Sequence, residues 1–273
     1  MGNNKKQSLT PDGKACVISI ANHKGGVAKT TTTLSVGYSL ARRGYRVLLM
    51  DLDPQSNLTL SLLQEDAEYS SIYDAVIKRD EPLPLIRVKD TLDLTPSSLE
   101  LSQLEISLTS LLEREYVITD KLVPLMDKYD FILIDCPPSL GIFTINALVA
   151  SDYVLIPLTA EVVPYKGLGS MMTLTSKISE RLNKRLSVLG IFFTRYKAKL
   201  NLTVQIESAV RQIYGPLLLE TRIRDTVKVA EAPLGRETIL EYAPKSTAAT
   251  DYEKLVDELI ERLERALEGY EKA

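Results

Sequence analysis

The sequence predicts an α/β fold in which helices flank a doubly wound, mostly parallel sheet. Short runs rich in Val, Ile and Leu, typical of buried parallel strands, alternate with amphipathic stretches typical of crossover helices. A glycine-containing segment, 22–31, lies directly between the first apolar run and the first amphipathic stretch. The length of 273 residues, with 45% hydrophobic and 25% charged residues, suits one ordinary globular domain.

The predicted elements follow one another along the whole chain. Each apolar run is short enough for a strand, and each amphipathic stretch has the apolar spacing of a helix. Ligands of such folds bind at the carboxyl ends of the strands. The predicted strands are 16–21, 46–50, 131–134, 153–157 and 187–194, and the clearest predicted helices are 30–43, 142–150 and 165–182.

No linker or repeat divides the chain, so we expect one domain over residues 15–273, preceded by a disordered polar tail, 1–14. The domain ends in a predicted helix whose polar face is acidic: residues 251–273 hold eight Asp/Glu and four Lys/Arg. Anionic lipid repels such a face, so we expect this helix to pack on its own domain. Its apolar residues are Leu255, Leu259, Ile260, Leu263 and Leu267.

Composition excludes several classes of protein. No apolar run approaches the roughly 18 residues of a membrane span, and the first residues lack the apolar core of a signal peptide, which predicts a cytoplasmic protein with no membrane partner. Cys16 and Cys136 lie far apart, each in or beside an apolar run, so core thiols are expected rather than a disulfide or a metal pair.

The segment NHKGGVAKTT, residues 22–31, has the features of a phosphate-binding loop. Gly25 and Gly26 allow backbone amides to approach a polyphosphate, and the following helix directs its positive end at the anion. Lys29 supplies a charge, and Thr30 places a hydroxyl where Mg²⁺ bridges phosphates. The sole histidine, His23, is expected to pack or to face a partner rather than act as a base.

The loop departs from the common pattern G-x-x-x-x-G-K-[ST], because His23 and Ala28 replace the two glycines. It matches K-G-G-x-x-K-[ST] and so resembles the ParA/MinD family of dimerising ATPases. The resemblance implies ATP and Mg²⁺ as ligands, with Lys24 reaching the nucleotide of the partner protomer. The other loop residues, Val27 and Thr31 included, would bind the nucleotide. We expect alanine at position 28 to have an ordinary negative φ. The sequence leaves open how this alanine affects the rate of ATP turnover.

Three aspartates end predicted strands. Asp51 and Asp53 follow the second strand, and Asp135 ends the apolar run 131–134, as in a Walker B strand that presents a carboxylate to magnesium. The stretch VLLMDLDPQSN resembles a second segment of the same family. By that resemblance Asp53 orients the attacking water and Asp51 supports the magnesium shell, whereas a cap at the strand end is the alternative for both.

The resemblance also implies residues for the base and for DNA. Arg195 and the backbone around Pro233 match the adenine pocket, and Lys199 and Lys228 match DNA-contacting positions. Between 194 and 236 the chain has eight Lys/Arg and four Asp/Glu, so this segment forms a local basic patch despite a net charge of −3. Arg222 and Arg224 extend this patch, and a solvated basic face is the alternative interpretation.

These features predict a ParA-like partition ATPase associated with the nucleoid. The resemblance implies an ATP-bound homodimer that holds DNA without sequence preference and moves a plasmid or chromosome. A ParB-like centromere-binding partner would stimulate its weak hydrolysis. The open alternatives are a membrane-associated positioning ATPase similar to MinD and an ATP switch that positions a protein cargo. An iron-protein relative and a tyrosine kinase are disfavoured, because paired cysteines and a terminal tyrosine cluster are lacking.

Overall fold

The sheet contains eight strands among the residues that the computed structural model describes, 9–64, 67–78, 80–108, 111–161 and 164–271. Their order across the sheet is β3-β4-β2-β5-β1-β6-β7-β8. All neighbouring pairs are parallel except β3 with β4. The strands are β1 Cys16–Ile20, β2 Val47–Asp51, β3 Ile86–Lys89, β4 Leu92–Thr95, β5 Phe131–Asp135, β6 Tyr153–Thr159, β7 Ser187–Tyr196 and β8 Leu218–Arg224.

The strand register brings the predicted functional residues to one edge. Ile20 at the end of β1 lies beside Asp135 of β5, and Asp135 lies beside Asp51 of β2. Because parallel strands have their carboxyl ends on the same side, the loops after β1, β2 and β5 converge there. This architecture confirms the predicted doubly wound, mostly parallel sheet.

Helices cover both faces of the sheet. Alternate residues of the strands contribute to two cores: Val17, Ile132 and Ile134 to one, and Ile18 and Leu133 to the other. The helices are α1 Lys29–Arg42, α2 Asn57–Leu60, α3 Ile72–Ile77, α4 Leu101–Leu108, α5 Val117–Leu122, α6 Ile142–Val149, α7 Pro164–Arg181, α8 Asn201–Tyr214, α9 Lys228–Glu231, α10 Ile239–Tyr242 and α11 Thr247–Glu271.

The five predicted strands and three predicted helices match β1, β2, β5, β6, β7, α1, α6 and α7 within two residues at every boundary. The strands that the sequence did not reveal are β3, β4 and β8. Two of these are only four residues long, and β8 reads LLETRIR, which lacks a continuous apolar run. Short or charged strands depend on their neighbours in the sheet rather than on a local pattern.

Both ends of the domain make contacts with its body. Residues 1–8 of the predicted disordered tail lie outside the described part of the chain, but residues 9–14 differ from that prediction. Thr10 is buried and donates a hydrogen bond to the carbonyl of Lys14 over 2.6 Å, and Asp12 pairs with Arg185 at 3.2 Å. Burial of Thr10 and this ion pair hold the segment against the sheet.

Helix α11 covers the outer edge of β8. Leu255, Leu259 and Leu263 are buried in the core, as an apolar helix face requires. The carboxylate of Glu258 accepts hydrogen bonds from the amides of Glu220 and Thr221, over 2.8 and 2.9 Å. Exposed edge amides would otherwise pair with another chain, so the acidic face of α11 protects the edge. No helix in the described ranges has the length and apolar character needed to cross a membrane.

Candidate nucleotide site

The loop between β1 and α1 has the geometry of an anion-binding turn. Gly26 has a φ of 72°, and Ala28 has a φ of 64° with a ψ of 35°, so both are left-handed. The expected negative φ at Ala28 is therefore wrong. Ala28 is the N-cap of α1: its carbonyl accepts the helical hydrogen bond from the amide of Thr32 over 2.9 Å, and its left-handed backbone turns the chain from the loop into the helix.

A cavity of about 560 Å³ lies over this loop. Its volume falls within the roughly 300–1,000 Å³ typical of small-molecule sites. The start of α1 forms its floor, the loop after β2 forms one wall, and the segment that contains Pro233 forms another. Its lining residues are Gly25, Gly26, Ala28, Lys29, Thr30, Thr31, Asp53, Gln55, Asn57, Leu60, Ser61, Pro138, Pro233 and Leu234.

Lys29 places a buried charge at the base of the cavity. The side chain is 7% exposed, and its Nζ donates a hydrogen bond to the carbonyl of Lys24 over 3.1 Å. Burial lowers the pKa of Lys29, although the nearby carboxylates of Asp135 and Asp53 oppose that shift. A buried ammonium with one carbonyl partner retains donors for an anion in the cavity.

Thr30 and Asp135 form a pair suited to a hard cation. The Thr30 Oγ1 donates to Asp135 Oδ2 over 2.6 Å, and Asp135 is 1% exposed. Burial raises the pKa of Asp135, and the neighbouring Asp51 raises it further. A hydroxyl on the cavity floor with a carboxylate directly behind it is an oxygen donor set of the kind that Mg²⁺ prefers when phosphates complete its shell.

The two aspartates after β2 occupy different places. Asp53 lines the cavity, and its Oδ1 accepts the amide of Gln55 over 2.9 Å. Asp51 does not line the cavity. Its carboxylate is fully buried and accepts the amide and hydroxyl of Thr59, over 2.9 and 2.8 Å, and the amide of Asp53 over 3.1 Å.

Burial raises the pKa of Asp51 to about 7, although its hydrogen bonds with Thr59 oppose the shift. The structure therefore places Asp51 as a group that holds the loop bearing Asp53 and helix α2, one strand away from Asp135. Asp51 was predicted to support the magnesium shell, but the structure does not place it in direct contact with the cavity.

The first lysine of the motif lies apart from the second. Lys24 does not line the cavity, and its ammonium forms an ion pair with Glu161, just beyond the end of β6. Val27 is buried, and its carbonyl accepts the hydroxyl of Thr194 over 3.1 Å, which ties the loop to β7. Val27 therefore supports the loop through its backbone, and its side chain faces the core.

The residues predicted for the base separate into two groups. Pro233 lines the cavity, as does its neighbour Leu234. Arg195 does not line it: this residue has a φ of 49°, its side chain is 57% exposed, and its Nε lies 3.7 Å from Asp225. The structure thus brings only the Pro233 segment to the nucleotide cavity.

The predicted DNA-binding residues also divide. Arg222 forms an ion pair with Glu207, and Arg224 forms one with Asp251 at 2.7 Å. These guanidinium charges are compensated within the fold, so both arginines serve the packing of β8. Lys199 and Lys228 are exposed and form no ion pair with any residue in the described part of the chain.

Sequence reasoning missed several residues that line the cavity. Gln55 and Asn57 continue the segment of Asp53, and Ser61 follows α2. Pro138 ends the turn after β5. The first two lie within the quoted stretch VLLMDLDPQSN, which was a usable signal, whereas nothing local connects Ser61 with a loop 30 residues earlier in the chain.

The sequence matches a family described as "AAA domain" over residues 15–188. The sporulation initiation inhibitor protein Soj of Bacillus subtilis (strain 168) is 37% identical over 246 residues, which cover 89% of this chain and 97% of the relative. The chromosome partitioning protein ParA of Caulobacter vibrioides is 36% identical over 252 residues, covering 90% and 94%. This chain belongs to the ParA/Soj/MinD family of P-loop ATPases.

A solved structure of the same fold agrees with the ParA/Soj/MinD assignment. Cobyrinic acid a,c-diamide synthase from Mycobacterium smegmatis, with bound ADP and magnesium, is 33% identical and superimposes with a TM-score of 0.77, covering 89% of this chain and 93% of the other. A structural relative of this chain thus binds a nucleotide and magnesium. In the present chain, the ammonium of Lys29 and the Thr30–Asp135 pair are donors that fit the same two ligands.

Proposed function

We propose that this chain is an ATP-dependent dimerising ATPase that binds DNA without sequence preference and drives partition of a plasmid or chromosome. The observation that carries the proposal is the placement of two lysines around one loop. Lys29 lines the cavity, whereas Lys24 lies outside it and pairs with Glu161. Glu161 is 54% exposed, unlike the buried carboxylates that hold Arg222 and Arg224, so Lys24 would exchange this partner for the phosphates of a nucleotide held by a second protomer.

The cavity residues have distinct tasks in hydrolysis. The loop amides and Lys29 hold the phosphates, and the positive end of α1 faces them. Magnesium, when bound, neutralises negative charge on the phosphates as it builds up during transfer. Thr30, backed by Asp135, would hold that ion. Asp53 would orient the attacking water, while Asp51 fixes the backbone amide of Asp53 and so acts as a positioning residue.

The proposed DNA contacts reduce to two lysines. Lys199 follows β7 and Lys228 begins α9, both beyond the carboxyl ends of parallel strands and on the same side as the cavity. Their charges are free for phosphates, which need a cation rather than a bidentate fork. Arg222 and Arg224 are not proposed as contacts, because each guanidinium is already held by a carboxylate.

The names of the relatives support a proposal for the partner and the place of action. Soj and ParA relatives carry names that refer to sporulation control and chromosome partitioning. We therefore propose a ParB-like centromere-binding protein as the stimulating partner, and a cytoplasmic, nucleoid-associated location. A membrane-associated role is less well supported, because the apolar residues of α11 are used in the core and its exposed face is acidic.

Binding to random-sequence duplex DNA and to anionic vesicles tests the proposal, with ATP, ADP or no nucleotide across a salt series. The Asp53→Ala variant should dimerise with ATP, hydrolyse it poorly and remain on DNA, whereas Lys29→Ala should fail to bind ATP or dimerise. Normal ATP-dependent dimers from Lys29→Ala would refute the loop assignment. Vesicle binding without DNA binding would favour the membrane-associated role. Binding to neither surface would indicate an ATP switch that positions a protein cargo.

A further inference from the structure

The turn after β2 holds the carboxylate of Asp53 at the cavity. Oδ1 of Asp53 accepts the amide of Gln55 over 2.9 Å, and the carbonyl of Asp53 accepts the amide of Ser56 over 2.8 Å. These bonds join neighbours in the chain, so they set the shape of the turn but not its direction relative to the sheet. A contact from another strand would fix that direction.

Ser97, in the segment after β4, makes such a contact. It is fully buried, and its Oγ donates to the carbonyl of Asp53 over 2.8 Å. The pairing of β2 with β4 ends with Met50 beside Thr95, so Ser97 lies two residues beyond the last pair, where the chain leaves β2. The bond from Ser97 thus ties the turn that bears Asp53 to the neighbouring strand.

This bond also closes a ring of buried hydrogen bonds. The amide of Ser97 donates to Thr59 Oγ1 over 2.9 Å, and that hydroxyl donates to Asp51 Oδ2 over 2.8 Å. Asp51 Oδ1 accepts the amide of Asp53 over 3.1 Å, and the carbonyl of Asp53 accepts the hydroxyl of Ser97. A buried network whose members are all satisfied is rigid. The ring therefore holds the peptide groups on both sides of the Asp53 side chain.

We propose that Ser97 is a positioning residue for ATP hydrolysis, whose hydroxyl holds the backbone of Asp53 so that its carboxylate faces the attacking water. Ser97 does not line the cavity, so it acts through Asp53 and not on the nucleotide. Loss of this hydroxyl should slow turnover and leave the affinity for ATP unchanged. This inference rests on the proposed ATPase function and on the role of Asp53 in it.

The test compares turnover with nucleotide binding in Ser97→Ala. Phosphate release at saturating ATP with Mg²⁺ gives kcat, and calorimetric titration of a non-hydrolysable ATP analogue gives the affinity. The kcat should fall about 10- to 100-fold, the loss expected when a reacting group is displaced by up to about 1 Å. The affinity should stay within about twofold of wild type, because the contacts with the nucleotide are unchanged.

A matched control is Ser98→Ala, which removes the next hydroxyl of the same segment. Ser98 Oγ accepts the hydroxyl of Ser71 over 3.1 Å and is not part of the ring, so this variant should keep the wild-type kcat. Ser97→Cys keeps the volume of the side chain with a weaker donor. It should also slow turnover, which guards against a folding defect in the alanine variant.

A double-mutant cycle with Asp53→Ala separates positioning from a general loss of structure. If Ser97 acts through Asp53, the double variant should hydrolyse ATP at the rate of Asp53→Ala alone. A further fall in the double variant, an unchanged kcat in Ser97→Ala, or an equal loss of affinity and kcat would overturn the inference. Wild-type turnover by Asp53→Ala would remove Asp53 from the mechanism, and the inference with it. A wild type that does not hydrolyse ATP would instead refute the proposed function.

Discussion

Ala28 holds a backbone conformation that alanine adopts reluctantly. Its φ of 64° and ψ of 35° bring Cβ close to a carbonyl oxygen, which costs roughly 1–2 kcal/mol for a residue other than glycine. The conformation persists because the residue joins the phosphate loop to α1. Strain at this position is consistent with a loop shaped for a ligand rather than for stability.

Replacing Ala28 by glycine should therefore stabilise the nucleotide-free protein. Glycine removes the steric conflict but adds freedom to the unfolded chain, so the free energy of unfolding should rise by about 0.5–1 kcal/mol. Urea denaturation of wild type and Ala28→Gly measures the difference. Ala41→Gly, in the last turn of α1, is the control and should lower stability by up to about 1 kcal/mol. A less stable Ala28→Gly would show that the left-handed conformation carries no strain.

Individual residues differ in how far the sequence predicts them. Lys29 and Thr30 belong to a contiguous motif, so their place at the cavity follows from letters that are adjacent in the chain. The sequence gives no sign that Arg222 is paired with Glu207, because the two lie on different elements. The resemblance placed Asp51 beside the magnesium shell, and the sequence did not show that its carboxylate is bonded by Thr59, which the chain reaches only in α2.

At the scale of elements, β7, α8 and β8 are joined by one carboxylate. Glu207 of α8 accepts a hydrogen bond from the hydroxyl of Tyr196 over 2.6 Å and pairs with Arg222 of β8. The guanidinium of Arg222 also lies 5.4 Å from the centre of the Tyr196 ring. Burial raises the pKa of Glu207, but the bonds from Arg222 and Tyr196 outweigh it and leave the pKa below its usual value.

The substitution Glu207→Gln should destabilise this junction in a pH-dependent way. A carboxylate with a lowered pKa contributes stability above its unfolded pKa, near 4.5, and loses it as the pH falls through its folded value. At pH 7 the variant should be less stable by about 1–3 kcal/mol, and the gap should narrow below pH 4.5. Denaturation at several pH values measures it.

The control for that series is Glu261→Gln, which breaks an exposed pair with Arg265 within α11. Exposed pairs of this spacing contribute about 0.3–0.5 kcal/mol, so this variant should change little at any pH. If Glu207→Gln had an equally small effect at pH 7, the three elements would be held by apolar packing alone.

Elements with strong periodicity were the predictable part of the fold. Strands such as β1 and β5 are continuous apolar runs because helices cover both of their faces. Strand β4 is buried but carries Asp93, whose carboxylate is paired with Arg87 and bonded by Tyr129, so the local pattern conceals it. The nucleotide cavity was predictable where it uses strand ends, and its lining by Leu60 and Ser61 was not, because these residues reach the cavity only through the packing of α2 on α1.

In the whole molecule, the residues proposed for nucleotide binding and those proposed for DNA binding lie at the same edge of the sheet, where the parallel strands end. The phosphate loop follows β1, and Lys199 and Lys228 follow β7 and β8. Lys128 and Lys184 precede β5 and β7 and so lie at the opposite edge, also exposed and without an ion pair among the described residues. The chain thus offers two pairs of lysines with equal charge and opposite placement. An ATP-bound dimer with its nucleotides at the first edge would present Lys199 and Lys228 from both protomers.

Reversing these charges separates a local DNA site from the effect of net charge. Lys199→Glu with Lys228→Glu should abolish ATP-dependent binding to random-sequence DNA while dimerisation persists, because phosphate contacts are lost. Lys128→Glu with Lys184→Glu changes the net charge equally and should leave most of the affinity. In single variants Lys199→Ala and Lys228→Ala, the slope of log affinity against log salt should fall by about 0.9 for each contact removed. Equal losses from both charge-reversed pairs would mean that DNA responds to overall charge, and an unchanged slope would place the site elsewhere.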